Sequence, residues 1–148
     1  MKRYRKGYTQ GTYDMFHIGH LNLLRNAKER CDYLVVGVNS DELVKSYKHK
    51  SPVIVEAERA EIVRNIKAVD ECVIATTLDK LQALERHQFD VIFIGDDWRG
   101  NPRWEQTRRD LAVRGVDLVF LPHTDGISST KLTEVLKHVL DDDSNAQE

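Results

Sequence analysis

The sequence predicts an α/β protein: a single domain on one parallel, five-stranded, doubly wound sheet of Rossmann-like type, with helices on both faces. Three observations predict it. Four short segments, YLVVGV (33–38), ECVIAT (71–76), DVIFIG (90–95) and VDLVFL (116–121), are apolar on consecutive positions and rich in β-branched or aromatic residues, the pattern of strands covered on both faces. Stretches with helical spacing lie between them, so strand and helix alternate from end to end. The chain has 148 residues, enough for one domain with a substantial core.

Taken in order, a weaker strand is expected around Lys6 to Gln10, directly before Gly11. A helix follows from about His17, marked by Leu21, Leu24, Ala27 and Cys31, and then the strand 33–38. The segment VKSYKHKSPVIV (44–55) is polar, basic and interrupted by Pro52, and reads as a mobile flap. Ala57, Ala60, Val63 and Ile66 mark the next helix ahead of strand 71–76, and Leu81 and Leu84 mark another ahead of strand 90–95. After strand 116–121 comes the clearest helical stripe, Leu132, Val135, Leu136, Val139 and Leu140. The domain is therefore assigned to 1–140, and the acidic tail DDDSNAQE (141–148) to a solvated, disordered end.

Composition narrows the function. Hydrophobic residues make up 41% and charged residues 31%, as in ordinary globular domains. No apolar run approaches the ~20 residues of a membrane span, and the basic start MKRYRKGYTQ has no apolar segment behind it. A cytoplasmic protein with no membrane partner is expected. Cys31 and Cys72 are the only cysteines and share no metal-binding spacing, so a reduced pair is expected. The net charge is −2; setting aside the tail's four acids leaves 20 acidic against 22 basic residues, or +2. So mild a balance gives no argument for nucleic acid and leaves room for a local anion pocket.

In such a sheet, ligands bind at the carboxyl ends of the strands, near the point where strand order reverses. The first strand runs into GTYDMFHIGH (11–20). Gly11 permits a sharp turn or close ligand approach, and Thr12 offers a hydroxyl. His17 and His20 fall in the first turns of a helix, three apart and so on one face, where free N–H groups and the helix dipole favour an anion. They could be half of a metal site, a packed pair, or phosphate-handling groups. Partner ligands at matching spacing are missing, which disfavours zinc. The last strand ends in LPHTDGISSTKL (121–132), where Gly126 marks a turn and Ser128, Ser129 and Thr130 open a helix. Such residues are ordinarily caps; after a strand they also make an oxyanion cradle.

GTYDMFHIGH, then GDDW (95–98), then TDGISSTKL (124–132), resembles the cytidylyltransferase family of HxGH nucleotidyltransferases, most closely the glycerol-3-phosphate cytidylyltransferases with their GTFD-x-x-H-x-GH, GDDW and RTEGISTT motifs. The likeness runs from about Tyr8 to Leu132. It implies transfer of CMP from CTP to glycerol 3-phosphate, with Mg²⁺ carried mainly by the CTP phosphates, no metal held by protein side chains, and a homodimer. It gives His17, His20 and Lys48 catalytic roles. Gly11, Thr12, Tyr13, Asp14, Asp96, Asp97, Trp98 and the closing segment His123, Thr124, Asp125, Gly126, Ile127, Ser128, Ser129 and Thr130 would bind nucleotide. Lys48, Lys50, Lys67 and Lys80 would meet the acceptor. His123 and Lys67 stand where the family has arginines, replacing a permanent forked cation by a titratable ring and by a point charge. The alternatives are another phosphorylated or phosphonate acceptor, adenylyl transfer (disfavoured by GDDW), or a nucleotide sensor with no activity.

Overall fold

The structure, a computed structural model, describes residues 3–122 and 134–139. Five strands, β1 (Tyr4–Gly11), β2 (Cys31–Asn39), β3 (Glu71–Ala75), β4 (Val91–Gly95) and β5 (Asp117–Leu121), form one sheet of order β3-β2-β1-β4-β5. All pairings are parallel. The chain steps from β1 outward through β2 to β3, then crosses back to β4 on the other side of β1. The reversal therefore falls between β1 and β4. Here the paired register covers only Gly7↔Val91 and Tyr8↔Ile92, against seven pairs between β1 and β2. Past that point the Thr9 hydroxyl donates to the Phe93 carbonyl at 2.9 Å, and the two strands part toward their carboxyl ends.

Five helices connect the strands: α1 (Ile18–Glu29), α2 (Asp41–Lys48), α3 (Glu56–Arg64), α4 (Lys80–His87) and α5 (Pro102–Ala112). The strands' consecutive apolar residues serve two cores because side chains alternate between faces. Leu34, Val36, Val38, Val91 and Phe93 pack with Leu24 and Ala27 of α1 and Val63 of α3. Val35, Ile92 and Leu118 pack with Ala83 of α4 and Leu111 of α5. Gly7 is required by close packing in the first core: a Cβ there would lie 2.6 Å from the Phe93 ring and 2.9 Å from Cys31 Sγ. The sheet, its two helical faces and the four strong strands agree with the sequence-based expectation.

Several boundaries differ. Helix α1 stops at Glu29, and Cys31 opens β2 instead of closing the helix; its buried thiol still reaches back to the Ala27 carbonyl. Ile66 lies one turn beyond α3 and packs on the first core. The first half of the expected flap is helix α2, capped by the Ser40 hydroxyl on the Leu43 N–H at 3.1 Å and with Asp41 and Glu42 in its first turn, where carboxylates favour the dipole. Helix α5 had no apolar stripe to announce it. It starts instead from an Asn101 cap and a proline at its first position. Residues 134–139 are helical, but Val135, Leu136 and Val139 remain about half exposed, at 51%, 53% and 51%, so no described residue covers that stripe. Both cysteines are free thiols. The tail 141–148 lies outside the described residues.

Candidate active site

At the end of β1 the chain makes a constrained turn. Tyr13 and Met15 both take left-handed backbone conformations, with φ of 55° and 48°, at a cost of about 1–2 kcal/mol each for residues with side chains. Two anchors hold them there. The Tyr13 ring is buried in the first core, over Gly11, where a Cβ would come within 3.1 Å of that ring. The Asp14 carboxylate accepts the Val53 N–H at 2.7 Å and the Ile54 N–H at 2.9 Å, tying the connection between α2 and α3 onto the turn.

The two histidines then cap α1 reciprocally. His17 Nδ1 accepts from the Gly19 N–H at 3.0 Å, and His20 Nδ1 accepts from the His17 N–H at 3.2 Å. An imidazole nitrogen that accepts from a backbone amide carries no proton, so both neutral rings are fixed as the Nε2–H tautomer. The rings stack at 3.9 Å, and Tyr13 and Phe16 enclose His20 at 5.4 and 5.2 Å. Burial lowers the pKa of His17. For His20, burial first and the neighbouring His17 second push it down to about 4, against an opposing pull from Asp14. At neutral pH the pair is therefore uncharged and offers two Nε2–H donors. The Nε2 of His17 is buried and has no hydrogen-bond partner among the described residues. A buried unpaired donor costs roughly 1–3 kcal/mol, so this atom calls for an acceptor.

A buried arginine that the sequence reading passed over organises the rest. Arg59 is 1% exposed. Its Nε donates to the Ile54 carbonyl at 2.8 Å. One Nη donates to the carbonyls of Thr12 at 2.7 Å and Asn39 at 2.8 Å, and the other meets Asp41 at 2.7 Å. Asp41 and Glu56 also exchange backbone-to-carboxylate bonds at 3.0 and 3.2 Å. The turn after β1, the end of β2 and the starts of α2 and α3 are thus fastened at one guanidinium. The signal was legible: Arg59 lies four residues before Val63, on the apolar side of a helix, where a cation has to be paired.

The remaining candidate residues fall into distinct places. Lys48 is the last residue of α2, exposed, its ammonium 6.0 Å from the centre of the Tyr47 ring, and Lys50 is exposed just beyond. Asp96, Asp97 and Trp98 form a 3-10 turn after β4, across the strand reversal from the histidine turn; Asp97 and Trp98 are exposed. Lys80 opens α4 and is buried, donating to the Leu78 carbonyl at 2.8 Å and lying over the Trp104 ring at 5.3 Å. Burial, then the charge of Arg103, lower its pKa to about 8. It lines a cavity of about 390 Å³ with Asp79, Arg103, Thr107 and Asp110. That loop is tied to β1 by a bond from Gln10 Nε2 to the Thr77 carbonyl at 3.0 Å. Lys67 is exposed in the connection that enters the amino end of β3, the opposite edge of the sheet, and this chain does not bring it to the histidines. The segment His123 to Thr130 lies outside the described residues. Among the described residues no three His, Cys, Asp or Glu side chains converge as a metal site, and no helix is long and apolar enough to cross a membrane.

A constrained turn at a strand reversal, two neutral imidazole donors at a helix start and an exposed lysine at the end of α2 suit an anionic, phosphate-bearing ligand. Comparison with known proteins points the same way. A family model described as Cytidylyltransferase-like matches residues 8–135. The chain is 36% identical over 129 residues to the glycerol-3-phosphate cytidylyltransferase of Bacillus spizizenii, covering 86% of this chain and 94% of that one. It is 33% identical over 135 residues to the FAD synthase of Thermococcus kodakarensis, covering 88% and 89%. The crystal structure of the lipopolysaccharide core biosynthesis protein from Thermoplasma volcanium shares the fold, with a TM-score of 0.71 at 24% identity over 82% of this chain and 99% of that one.

Proposed function

The chain belongs to the cytidylyltransferase-like family, and on that premise we propose that it moves CMP from CTP to glycerol 3-phosphate, releasing CDP-glycerol and pyrophosphate. The observation that carries the phosphate chemistry is the pair of Nε2–H donors, above all the buried, partnerless Nε2 of His17. The glycerol 3-phosphate reading is supported by GDDW at 95–98 and by the 36% identical relative of that name.

The acceptor phosphate attacks in line at the α-phosphorus. A new P–O bond forms as the bond to the β-phosphate oxygen breaks, and its electron pair leaves with pyrophosphate. The attacking oxygen is already anionic near neutral pH, so no general base is required, and two neutral histidines are competent because they need only donate. Negative charge building on the α-phosphate and bridging oxygen draws the Nε2–H groups of His17 and His20 closer. Their fixed tautomers cost no reorganisation at that moment. Lys48 brings a mobile positive charge to the phosphates from the end of α2. Ser128, Ser129 and Thr130 would hold the β- and γ-phosphates, and Asp96, Asp97 and Trp98 would lie beside the base. Lys80, with Lys48 and Lys50, would meet the acceptor's phosphate. The Asp14 carboxylate accepts two backbone N–H groups and so supports the turn on which the nucleotide would sit. Mg²⁺ would ride on the triphosphate oxygens, as a hard cation prefers, and supply charge neutralisation. A homodimer in the cytoplasm completes the reading.

The test is pyrophosphate release from CTP or ATP with a panel of acceptors: glycerol 3-phosphate, phosphoethanolamine, a sugar phosphate, a phosphonate and flavin mononucleotide. Release with CTP and glycerol 3-phosphate well above every other pair is the expected result. Preference for ATP with the flavin would replace the reading with the one suggested by the FAD synthase relative. CTP binding without release from any acceptor would mark a sensor.

A further inference from the structure

We propose that Tyr47 is a positioning residue for the nucleotide site: its hydroxyl orients the Thr12 hydroxyl as a donor toward a ligand phosphate and latches the Lys48 end of α2 onto that turn. The proposal rests on the reading of the turn as a nucleotide site.

Five polar side chains form a continuous ladder from the second core to the turn. The Tyr8 hydroxyl donates to Gln10 Oε1 at 2.6 Å. Gln10 Nε2 gives its two hydrogens to Asn39 Oδ1 at 2.9 Å and to the Thr77 carbonyl at 3.0 Å. Those bonds fix the orientation of both amides, so Asn39 turns its Nδ2 outward. Nδ2 approaches the Tyr47 hydroxyl at 3.2 Å and, less closely, Thr12 Oγ1 at 3.5 Å, while the two hydroxyls stand 3.1 Å apart. Asn39 is 4% exposed, so its polar atoms depend on these partners.

The hydrogen count decides what the pair can do. Both hydroxyl oxygens face the Asn39 amide hydrogens. One of the two hydroxyl hydrogens is used between Thr12 and Tyr47, whichever donates. The other has no partner among the described residues; with Tyr47 donating within the pair, it is the Thr12 hydrogen that is left for an acceptor outside the ladder. The pair therefore offers one hydrogen to an outside acceptor, at the residue directly after Gly11 and beside the helix start capped by His17. A phosphate oxygen is the acceptor this site calls for. Tyr47 immediately precedes Lys48 in the last turn of α2. Its bond to Thr12 is thus also a direct side-chain link between the lysine-bearing helix end and the turn. Replacing Tyr47 by phenylalanine keeps the ring and removes both functions of the oxygen.

The experiment is a double-mutant cycle on CTP affinity with Tyr47→Phe, Thr12→Val and the double variant of the full chain. If Tyr47 acts through Thr12, each single variant weakens CTP binding about 3- to 10-fold, the range of one neutral hydrogen bond, and the double variant is no weaker than Thr12→Val alone. In turnover the Tyr47→Phe loss should fall more on KM for CTP than on kcat, because the Thr12 contact exists before the transition state. Single-variant losses that multiply in the double variant, or a Tyr47→Phe protein that binds CTP like wild type, would overturn the proposal. Wild-type protein decides the nucleotide reading separately. If it binds ATP and not CTP, the cytidylyl reading fails and the cycle with ATP still judges Tyr47. If it binds neither, both fail.

Discussion

Arg59→Lys is the change that should damage this protein most for its size. The arginine makes four bonds at 2.7–2.8 Å, to the carbonyls of Ile54, Thr12 and Asn39 and to Asp41. It is 1% exposed. A lysine keeps the charge, so the Asp41 carboxylate need not be stranded, but a single ammonium cannot reach acceptors spread around a planar fork. It can serve Asp41 and one carbonyl; two buried carbonyls then lose their partner. At about 1 kcal/mol or somewhat more for each stranded group, the expected loss is about 2–3 kcal/mol. At about 4 °C per kcal/mol for a chain near 150 residues, thermal unfolding should fall by roughly 10 °C. Arg59→Met, which leaves Asp41 unpaired as well, should cost more, about 3–5 kcal/mol. Because losing two of the three carbonyl bonds must release Thr12, Ile54 or both, CTP should bind less tightly to Arg59→Lys even at temperatures where it is folded. Thermal melts and CTP titrations of the two variants are the assay. A lysine variant that melts within about 2 °C of wild type and binds CTP normally would refute the claim that the fork holds the site together.

Other expected outcomes follow from the same contacts. Asp14→Asn places an amide N–H₂ against one of two backbone donors, so one of the bonds to Val53 and Ile54 should be lost. Amide exchange at those residues should then speed up about tenfold, the equivalent of about 1.4 kcal/mol. His20 has a folded pKa of about 4 against about 6.5 unfolded. The unfolded chain therefore binds more protons between those values, and stability should rise with pH from about 4 to about 6.5 and level off above. Denaturant titrations at pH 5 and 7.5 should differ by about 1–2 kcal/mol, and most of that difference should vanish in His20→Gln. A pH-independent wild type would mean that the ring is not buried as described. Lys48→Ala should leave the melting temperature within about 2 °C, because the side chain is exposed and such surface changes are usually small, while turnover falls about tenfold or more. Normal turnover would remove Lys48 from the phosphate site.

The parallel sheet was legible because its strands are buried on both faces: Leu34, Val35 and Val36 in succession leave few other readings, and the helices between them close the topology. The histidine turn was legible from its motif and its place after β1. What composition could not show was the set of bonds holding that turn. Asp14, Gln10, Asn39 and Tyr47 act across separations of eight to forty residues, and polar side chains carry no periodic signal that would announce a ladder. The segment 44–55 reads as irregular because Pro52 and three lysines dominate it; yet Ser40, Asp41 and Glu42 immediately upstream form a cap and acidic first turn sufficient for a helix. Helix α5 was missed for a related reason: Trp104 and Leu111 alone give too few apolar positions for a stripe, and only Asn101-Pro102 marks the start.

The central claim is that His17 and His20 act as fixed Nε2–H donors to a phosphate undergoing transfer. Single-turnover pyrophosphate release from CTP and glycerol 3-phosphate by His17→Ala and His20→Ala, compared with wild type at saturating CTP, tests it most directly. The expected result is a loss of about 10²–10³ in rate for each variant, with the fold retained by circular dichroism. A folded variant that releases pyrophosphate at the wild-type rate would contradict it.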